Sequence, residues 1–287
     1  MNRRIDDHIN TNLQAADISF LDLDHPGAND ASYRHRRNEI AKAAMDFHTR
    51  RSVADIPIIE YTQEENETWN TITSRLKPLH SQHVSALHLR AQQTLNLFTD
   101  HIPQLKDLSE KLRATTGFQL APIQGLINAK TFLSDLKQKT MLCTQYIRHS
   151  SKPDYTPEPD VVHECIGHVA AFTDPDFVAF SQTIGDMAER ANEQQIIALE
   201  RLYWYTIEFG LIREANEVKA FGAGLLSSLG ELPHALSNDV ERKDFDLREV
   251  INTEYDYSHR QPTLFIIDSF ERLKHETLAL KKNMGMD

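Results

Sequence analysis

The sequence predicts a mainly α-helical chain, with many helices and a few short strands in one domain. Helix boundary signals support this prediction. Thr62 and Glu65 form a capping box, and Asp174 followed by Pro175 is typical of an N-cap with proline in the first turn. The length of 287 residues suits one large domain and is short for two independent ones.

Apolar residues at helical spacing predict individual helices in chain order. One stripe follows the capping box, a second is closed by Gly117, and a third continues from Pro175. The stripes consist of Trp69, Ile72 and Leu76; of Ile102, Leu105, Leu108 and Leu112; and of Phe177, Phe180, Ile184 and Met187.

The remaining segments predict two further helices and two strands. Residues 196–212 are mostly apolar and are interpreted as one long buried helix, and residues 268–282 as a last helix. Short strands are expected at residues 118–123 and 264–267. Irregular structure is expected at residues 1–30, 148–160 and 235–250.

The composition indicates a soluble cytoplasmic protein. Its net charge of −11 opposes binding to nucleic acid, because such binding neutralises phosphates with Lys and Arg. No stretch approaches the roughly 18 apolar residues of a membrane span, and the N-terminus lacks the apolar core of a signal peptide. Two cysteines, Cys143 and Cys165, form no disulfide framework, which fits a reducing compartment.

A pair of histidines after a proline-rich approach is the first candidate metal site. His163 and His168 are five residues apart, with Glu164 beside the first. Neutral imidazole suits Fe, Zn, Cu and Ni. On an ideal helix five residues turn about 500°, so the two rings would lie roughly 140° apart. They converge only if the helix ends or distorts, which Gly167 would permit.

A carboxylate in an apolar run supplies a third candidate ligand. Glu208 lies in the aromatic segment from Leu202 to Leu211. A buried carboxylate needs a partner, which could be a metal ion or a structural Arg or Lys. Two histidines and one carboxylate form the facial triad of non-heme Fe(II) oxygenases. His163, His168 and Glu208 are therefore the candidate metal ligands.

Several longer segments carry a resemblance to a known family. These segments are residues 143–149, 152–160, 163–168, 180–185, 203–211 and 220–228. In order and with almost no gaps, residues 25 to 275 resemble the catalytic domain of the pterin-dependent aromatic amino acid hydroxylases. The resemblance implies a single catalytic domain over residues 26–287, after a short extension over residues 1–25.

The resemblance also implies a role for individual residues. His163, His168 and Glu208 would hold Fe(II). A tetrahydropterin, either tetrahydrobiopterin or a bacterial relative, would contact Gly125, Ile127, Phe132, Glu164 and Tyr203. The amino acid substrate would bind through its carboxylate to Arg148, whose planar fork suits that group. The other expected substrate-binding residues are Tyr155, Thr156, Pro157, Pro159, Trp204, Phe209, Gly224, Ser227, Ser228 and Tyr257.

The implied activity is hydroxylation of the ring of a free aromatic amino acid with O2, with L-phenylalanine to L-tyrosine as the first choice. Trp204 favours phenylalanine over tryptophan as substrate. Tyr257 stands where phenylalanine hydroxylases usually carry a small aliphatic residue, so meta-tyrosine or another aromatic substrate remains an alternative. A zinc hydrolase and a catalytically silent amino acid sensor are the alternatives outside this activity. Because no heptad run follows the last helix, we expect a monomer.

Overall fold

The computed structural model describes residues 21, 25–48, 55–154, 156–257 and 259–286, and there the protein is mainly α-helical, as predicted. The helices α1 to α11 are, in chain order, Ala31–His48, Gln63–His83, Ala86–Leu95, Leu105–Thr115, Ala129–Asp135, Pro175–Arg190, Glu193–Tyr203, Ala223–Leu226, Glu231–Ala235, Leu247–Asn252 and Phe270–Asn283. The strands β1 to β6 are Gln119–Pro122, Thr140–Cys143, Leu211–Glu214, Glu217–Ala220, Glu241–Asp244 and Thr263–Ile267.

The helix boundary signals in the sequence are confirmed. At the start of α2, the Thr62 side chain accepts from the backbone N–H of Glu65, and the Glu65 carboxylate accepts from the Thr62 N–H. The Asp174 side chain caps α6, with Pro175 as its first residue. Gly117 follows α4 with a φ of 75°, a left-handed conformation that glycine adopts without a steric cost.

Within the described residues, the strands form two small sheets. β1 and β2 form a parallel pair. The second sheet has the strand order β4-β3-β6-β5, with an antiparallel β3–β4 hairpin and parallel pairing elsewhere. Ala215 and Asn216 both have positive φ in the hairpin turn, as a two-residue turn between twisted strands requires.

A large hydrophobic core lies between α4, α6, α7 and the strands β1 and β2. The predicted stripe residues Leu105, Leu108 and Leu112 are buried in it, as are Phe177 and Phe180. Among the described residues, no helix has the length and apolar character needed to cross a membrane.

Two of the predictions on secondary structure are wrong. Residues 196–212 are not one helix: α7 ends at Tyr203, a π-helical turn follows at Trp204–Glu208, and Leu211 and Ile212 belong to β3. Apolar runs fit a buried strand as well as a buried helix, and pairing with β6 decides the conformation here. Residues 235–250 are also not wholly irregular, because β5 and the start of α10 lie there.

Candidate metal and substrate site

A π-helical turn at His163–His168 brings the two histidines together. In such a turn the N–H of residue i+5 bonds to the carbonyl of residue i, as Val169 does to Glu164. Residues five apart are therefore near neighbours, and the predicted distortion of the helix is confirmed. Gly167 serves close packing rather than an unusual φ, because a Cβ there would lie 2.7 Å from the Ala223 carbonyl oxygen.

A second π-helical turn positions Glu208. The N–H of Phe209 bonds to the carbonyl of Trp204 at 2.8 Å, which closes the turn. Gly222 crosses directly over its end: a Cβ on Gly222 would lie 2.4 Å from the Glu208 carbonyl oxygen. The segment before α8 therefore packs closely against the backbone of Glu208.

The donor atoms of the three candidate ligands converge. The Nε2 atoms of His163 and His168 are 2.9 Å apart, and Glu208 oxygens lie 3.5 Å and 3.2 Å from these two nitrogens. One donor atom from each residue lies within 4.8 Å of the others. For metal–nitrogen bonds of roughly 2.0–2.1 Å, neighbouring ligand atoms would lie about 3 Å apart. These residues therefore fit a metal ion.

Ser227 fixes the orientation of the His163 ring. Its Oγ donates to the Ala223 carbonyl at 2.8 Å and lies 3.1 Å from His163 Nδ1. A hydroxyl has one proton, so the Ser227 oxygen accepts from His163 Nδ1–H. The His163 Nε2 is then a lone-pair donor that faces His168 and Glu208, as metal binding requires.

Charges at the site favour an ionised carboxylate beside two imidazoles. Burial raises the pKa of Glu208, but His168 and His163 outweigh it and lower that pKa to about 2. Burial lowers the pKa of His163 to about 4. Burial also lowers the pKa of His168, yet the Glu208 carboxylate raises it above its ordinary value. Glu208 is therefore an anion at neutral pH, the form that binds a cation.

Arg148 is buried and paired, not solvated. It is 4% exposed, and its Nε and Nη2 donate to the two carboxylate oxygens of Asp160 at 2.9 Å and 2.8 Å. Burial raises the pKa of Asp160, but Arg148 holds it below its ordinary value. Nη1 donates one N–H to the Pro153 carbonyl at 3.4 Å, and its second N–H is a donor that a further carboxylate could use.

Three rings form an aromatic wall beside Glu208. We use this name for Trp204, Phe209 and Tyr255. The Trp204 and Phe209 ring centroids are 4.6 Å apart, because the π-helical turn aligns residues five apart. The ring of Tyr255 stacks on Trp204 at 4.3 Å and 14°.

Tyr257, the predicted pocket residue, is not brought to this wall. It is 73% exposed on the surface, and its neighbour Tyr255 stacks on Trp204 instead. In an extended segment, alternate side chains point the same way, but the chain turns at Tyr257, so the Tyr257 side chain does not follow that of Tyr255. The hydrogen bond from the Tyr205 hydroxyl to the Glu254 carbonyl, 2.7 Å long, anchors the segment next to Tyr255.

Two of the predicted pterin-contacting residues, Glu164 and Tyr203, lie next to the metal ligands. Phe132 meets Tyr203 edge to face, with ring centroids 5.6 Å apart, and the Tyr203 hydroxyl also helps to lower the pKa of Glu208. Glu164 is buried and accepts from the backbone N–H of Thr144 at 3.1 Å. Burial raises the pKa of Glu164 to about 7. Gly125 and Ile127 are half-buried just before α5.

The remaining predicted substrate residues differ in their burial and in the groups that they contact. Gly224 packs under the aromatic wall, since a Cβ there would lie 2.8 Å from the Phe209 ring. Ser228 accepts from the N–H of Glu231, the first residue of α9. Thr156 and Pro159 are half-buried, and Pro157 is exposed. Tyr155 lies outside the described residues.

Comparison with known proteins identifies the family. A sequence profile described as biopterin-dependent aromatic amino acid hydroxylase matches residues 3–286. The chain belongs to this family. Phenylalanine-4-hydroxylase of Dictyostelium discoideum is 42% identical over 264 residues, 90% of this chain and 59% of that protein. Tyrosine 3-monooxygenase of Homo sapiens is 45% identical over 258 residues, 88% of this chain and 48% of that protein.

A solved structure shows the same fold in another member of the hydroxylase family. It is phenylalanine hydroxylase from Chromobacterium violaceum with bound iron(III) and oxidised cofactor 7,8-dihydrobiopterin. The TM-score is 0.74 at 33% identity, over 80% of this chain and 85% of that chain. This chain spans about half of the length of the curated relatives that it matches. Because relatives named for phenylalanine and for tyrosine both occur, family membership does not select the substrate.

Two residues that organise the candidate site were missed in the sequence. Asp160 pairs with Arg148, and a signal for it existed, because a buried arginine needs a carboxylate and Asp160 ends the proline-rich approach. Tyr255 completes the aromatic wall, but no feature of the sequence distinguishes it from Tyr257.

Proposed function

We propose that this chain is the catalytic part of a monooxygenase that hydroxylates the ring of a free aromatic amino acid with Fe(II), O2 and a tetrahydropterin. The observation that carries the proposal is the convergence of donor atoms from His163, His168 and Glu208. When bound, iron and pterin supply oxygen activation and the electrons for it. Membership of the hydroxylase family weighs against the zinc hydrolase alternative.

The chain's own part at the metal is to present three donors in fixed orientations. Ser227 holds His163 with Nε2 toward the other ligands. The imidazoles keep Glu208 ionised, so that it can bind iron as a carboxylate. Three protein ligands leave further coordination positions for O2 and water, as in other facial triads.

We assign Arg148 to the substrate carboxylate. Asp160 occupies Nε and Nη2 of the guanidinium and fixes its plane. The free amino acid would then approach the Nη1 edge. Its side chain would lie against the aromatic wall, whose rings can bury an aromatic substrate and exclude water.

The pterin would lie on the side of Glu164, Tyr203 and Phe132. The ring of Phe132 offers a stacking surface, and Gly125 and Ile127 offer backbone groups. Glu164 has a pKa of about 7, so its carboxyl group can accept from a pterin N–H or donate to a pterin acceptor.

L-Phenylalanine, hydroxylated to L-tyrosine, is the substrate we propose. The wall beside Glu208 consists of rings, and the Trp204 indole leaves less room for a second indole, which argues against tryptophan. Tyrosine is the second candidate, because relatives named tyrosine 3-monooxygenase reach 45% identity. Tyr257 is exposed, which argues against a part for this residue in directing hydroxylation to the meta position.

Product analysis tests this choice. Iron-loaded protein is supplied with a tetrahydropterin, O2 and an equimolar mixture of phenylalanine, tyrosine and tryptophan, and products are separated by chromatography. We expect tyrosine formed from phenylalanine as the main first product. A main product of 3,4-dihydroxyphenylalanine from labelled tyrosine, with labelled phenylalanine unconsumed, would select the second candidate.

Cytoplasmic location, the monomeric state and the boundary at residue 25 stay predictions.

A further inference from the structure

Helix α8 is the element that supports the turn carrying both histidines. Its first residue, Ala223, packs against Gly167 so closely that a Cβ on the glycine would lie 3.0 Å from the Ala223 Cβ. Ser227, directly after α8, orients His163 through its hydroxyl. The position of α8 therefore sets the position of the His163 ring.

A buried histidine on α2, His80, contacts the C-terminal end of α8. The Nε2 of His80 lies 2.7 Å from the carbonyl oxygen of Leu226, the last residue of α8. Terminal carbonyls of a helix have no partner within the helix, so a side-chain donor is needed where the end is buried. Leu226 is fully buried, and His80 is 1% exposed.

The proton on His80 is held on the nitrogen that faces α8. The side-chain amide nitrogen of Gln92, on α3, lies 2.9 Å from His80 Nδ1. An amide nitrogen donates and never accepts, so Nδ1 accepts and Nε2 carries the proton. The ring is also fixed in place by an edge-to-face contact with Phe98, with centroids 5.2 Å apart.

We propose that His80, with its tautomer set by Gln92, is a positioning residue of the metal centre. It acts through the Leu226 carbonyl and the adjacent Ser227 on the His163 ring. This inference rests on the proposed function, in which His163 binds iron. Without the His80 donor, the Leu226 carbonyl is left buried and unpaired, and the end of α8 moves away from the position that aligns His163.

Binding of cobalt(II) to the metal-free protein tests the proposal without any activity measurement. Cobalt(II) accepts the same nitrogen and oxygen donors, and its visible absorption reports coordination. His80→Phe removes the donor and keeps an aromatic ring. His80→Gln keeps an amide N–H near the position of Nε2. His88→Phe is the matched control, because His88 is equally buried on α3 and bonds to Ser85, not to α8.

We expect His80→Phe to raise the cobalt dissociation constant about tenfold, at the lower end of the effect of removing a residue that orients a ligand. His80→Gln and His88→Phe should stay within about twofold of wild type, a smaller change than such a loss produces. Wild-type affinity in folded His80→Phe overturns the proposal. So does a His88→Phe variant that weakens cobalt binding as much as His80→Phe.

If His80→Phe does not fold, a variant that keeps His80 tests the same proposal. Gln92→Leu removes the donor to Nδ1, so that the proton is no longer confined to Nε2, and we expect roughly threefold weaker cobalt binding, less than for loss of a ligand-orienting residue. Unchanged affinity in this variant overturns the proposal. The proposed function fails separately, if wild type binds no cobalt or if His163→Ala binds it as well as wild type does.

Discussion

The ring of Tyr255 lies flat against the indole of Trp204, with centroids 4.3 Å apart and planes 14° apart. This stack joins the π-helical turn that carries Glu208 to the segment before β6. Trp204 also contacts Phe209, so Tyr255 extends a surface that already exists within the turn. The aromatic wall is therefore assembled from two segments that are about fifty residues apart in the sequence.

Tyr255→Leu should weaken the use of phenylalanine. The variant loses one stacked ring pair, and such pairs contribute about 0.5–1.5 kcal/mol beyond the area they bury, so kcat/KM should fall roughly two- to tenfold. Iron content should not change. Tyr257→Leu is the control and should match wild type, because Tyr257 is 73% exposed. Steady-state kinetics on both variants decide between the tyrosines, and a larger loss in Tyr257→Leu would assign the pocket role to that residue.

Glu208→Gln should abolish hydroxylation and remove most of the iron. The amide has nearly the same shape but lacks the charge that pairs with a cation and with the two imidazoles. Glu231→Gln, a substitution of a half-buried glutamate outside the site, should keep both activity and metal. Metal analysis of the purified variants is the measurement. Full iron occupancy in Glu208→Gln would show that this carboxylate is not a ligand.

Local signals predicted the helix boundaries, and tertiary contacts decided what the sequence left open. The capping box at Thr62 and the left-handed Gly117 depend on residues a few positions apart, so a sequence pattern contains them. The two π-helical turns depend on distant backbone, Ala223 against Gly167 and Gly222 against Glu208. The histidine spacing showed that an ideal helix could not bring both rings together. It did not show that the distortion would be a π-helical turn, because that turn depends on the packing of distant residues.

The same distinction applies to the site residues. Residue types and spacing made His163, His168 and Glu208 candidate ligands, and the resemblance to the hydroxylase family selected them; their donors converge. The partner of Arg148 could be inferred only as some acidic residue. Exposure of Tyr257 could not be inferred, because it depends on how the segment after α10 is anchored by Tyr205 and Gln261.

Arg148→Lys should raise the KM for phenylalanine and leave the iron content unchanged. Lysine keeps the charge but lacks the planar guanidinium, which can bond to Asp160 through one edge and to the substrate carboxylate through another. Loss of one charge-assisted hydrogen bond costs about 1.5–3 kcal/mol, which corresponds to roughly ten- to hundredfold in KM.

Arg36→Lys is the matched control for this substitution. Arg36 also donates through Nε to a carboxylate, that of Glu65 at 2.9 Å, but outside the site. Kinetics with saturating pterin compare the two variants. If Arg148→Lys retains the wild-type KM for phenylalanine, Arg148 does not bind the substrate carboxylate.

His88 should make the protein less stable in mild acid. The side chain is fully buried, its Nε2 has no hydrogen-bond partner among the described residues, and burial lowers its pKa from 6.5 to about 3. Between these two values the unfolded chain binds a proton at His88 and the folded chain does not. The free energy of unfolding therefore falls as the pH drops from about 6.5 towards 3, by up to about 1.4 kcal/mol per pH unit from this residue.

Urea unfolding of wild type and His88→Phe at pH 7, 6 and 5 measures this contribution of His88. The other titrating groups are the same in both proteins, so their contributions cancel in the difference. The variant should lose less stability than wild type at each step, and parallel losses in the two proteins would show that His88 takes up its proton in the folded state.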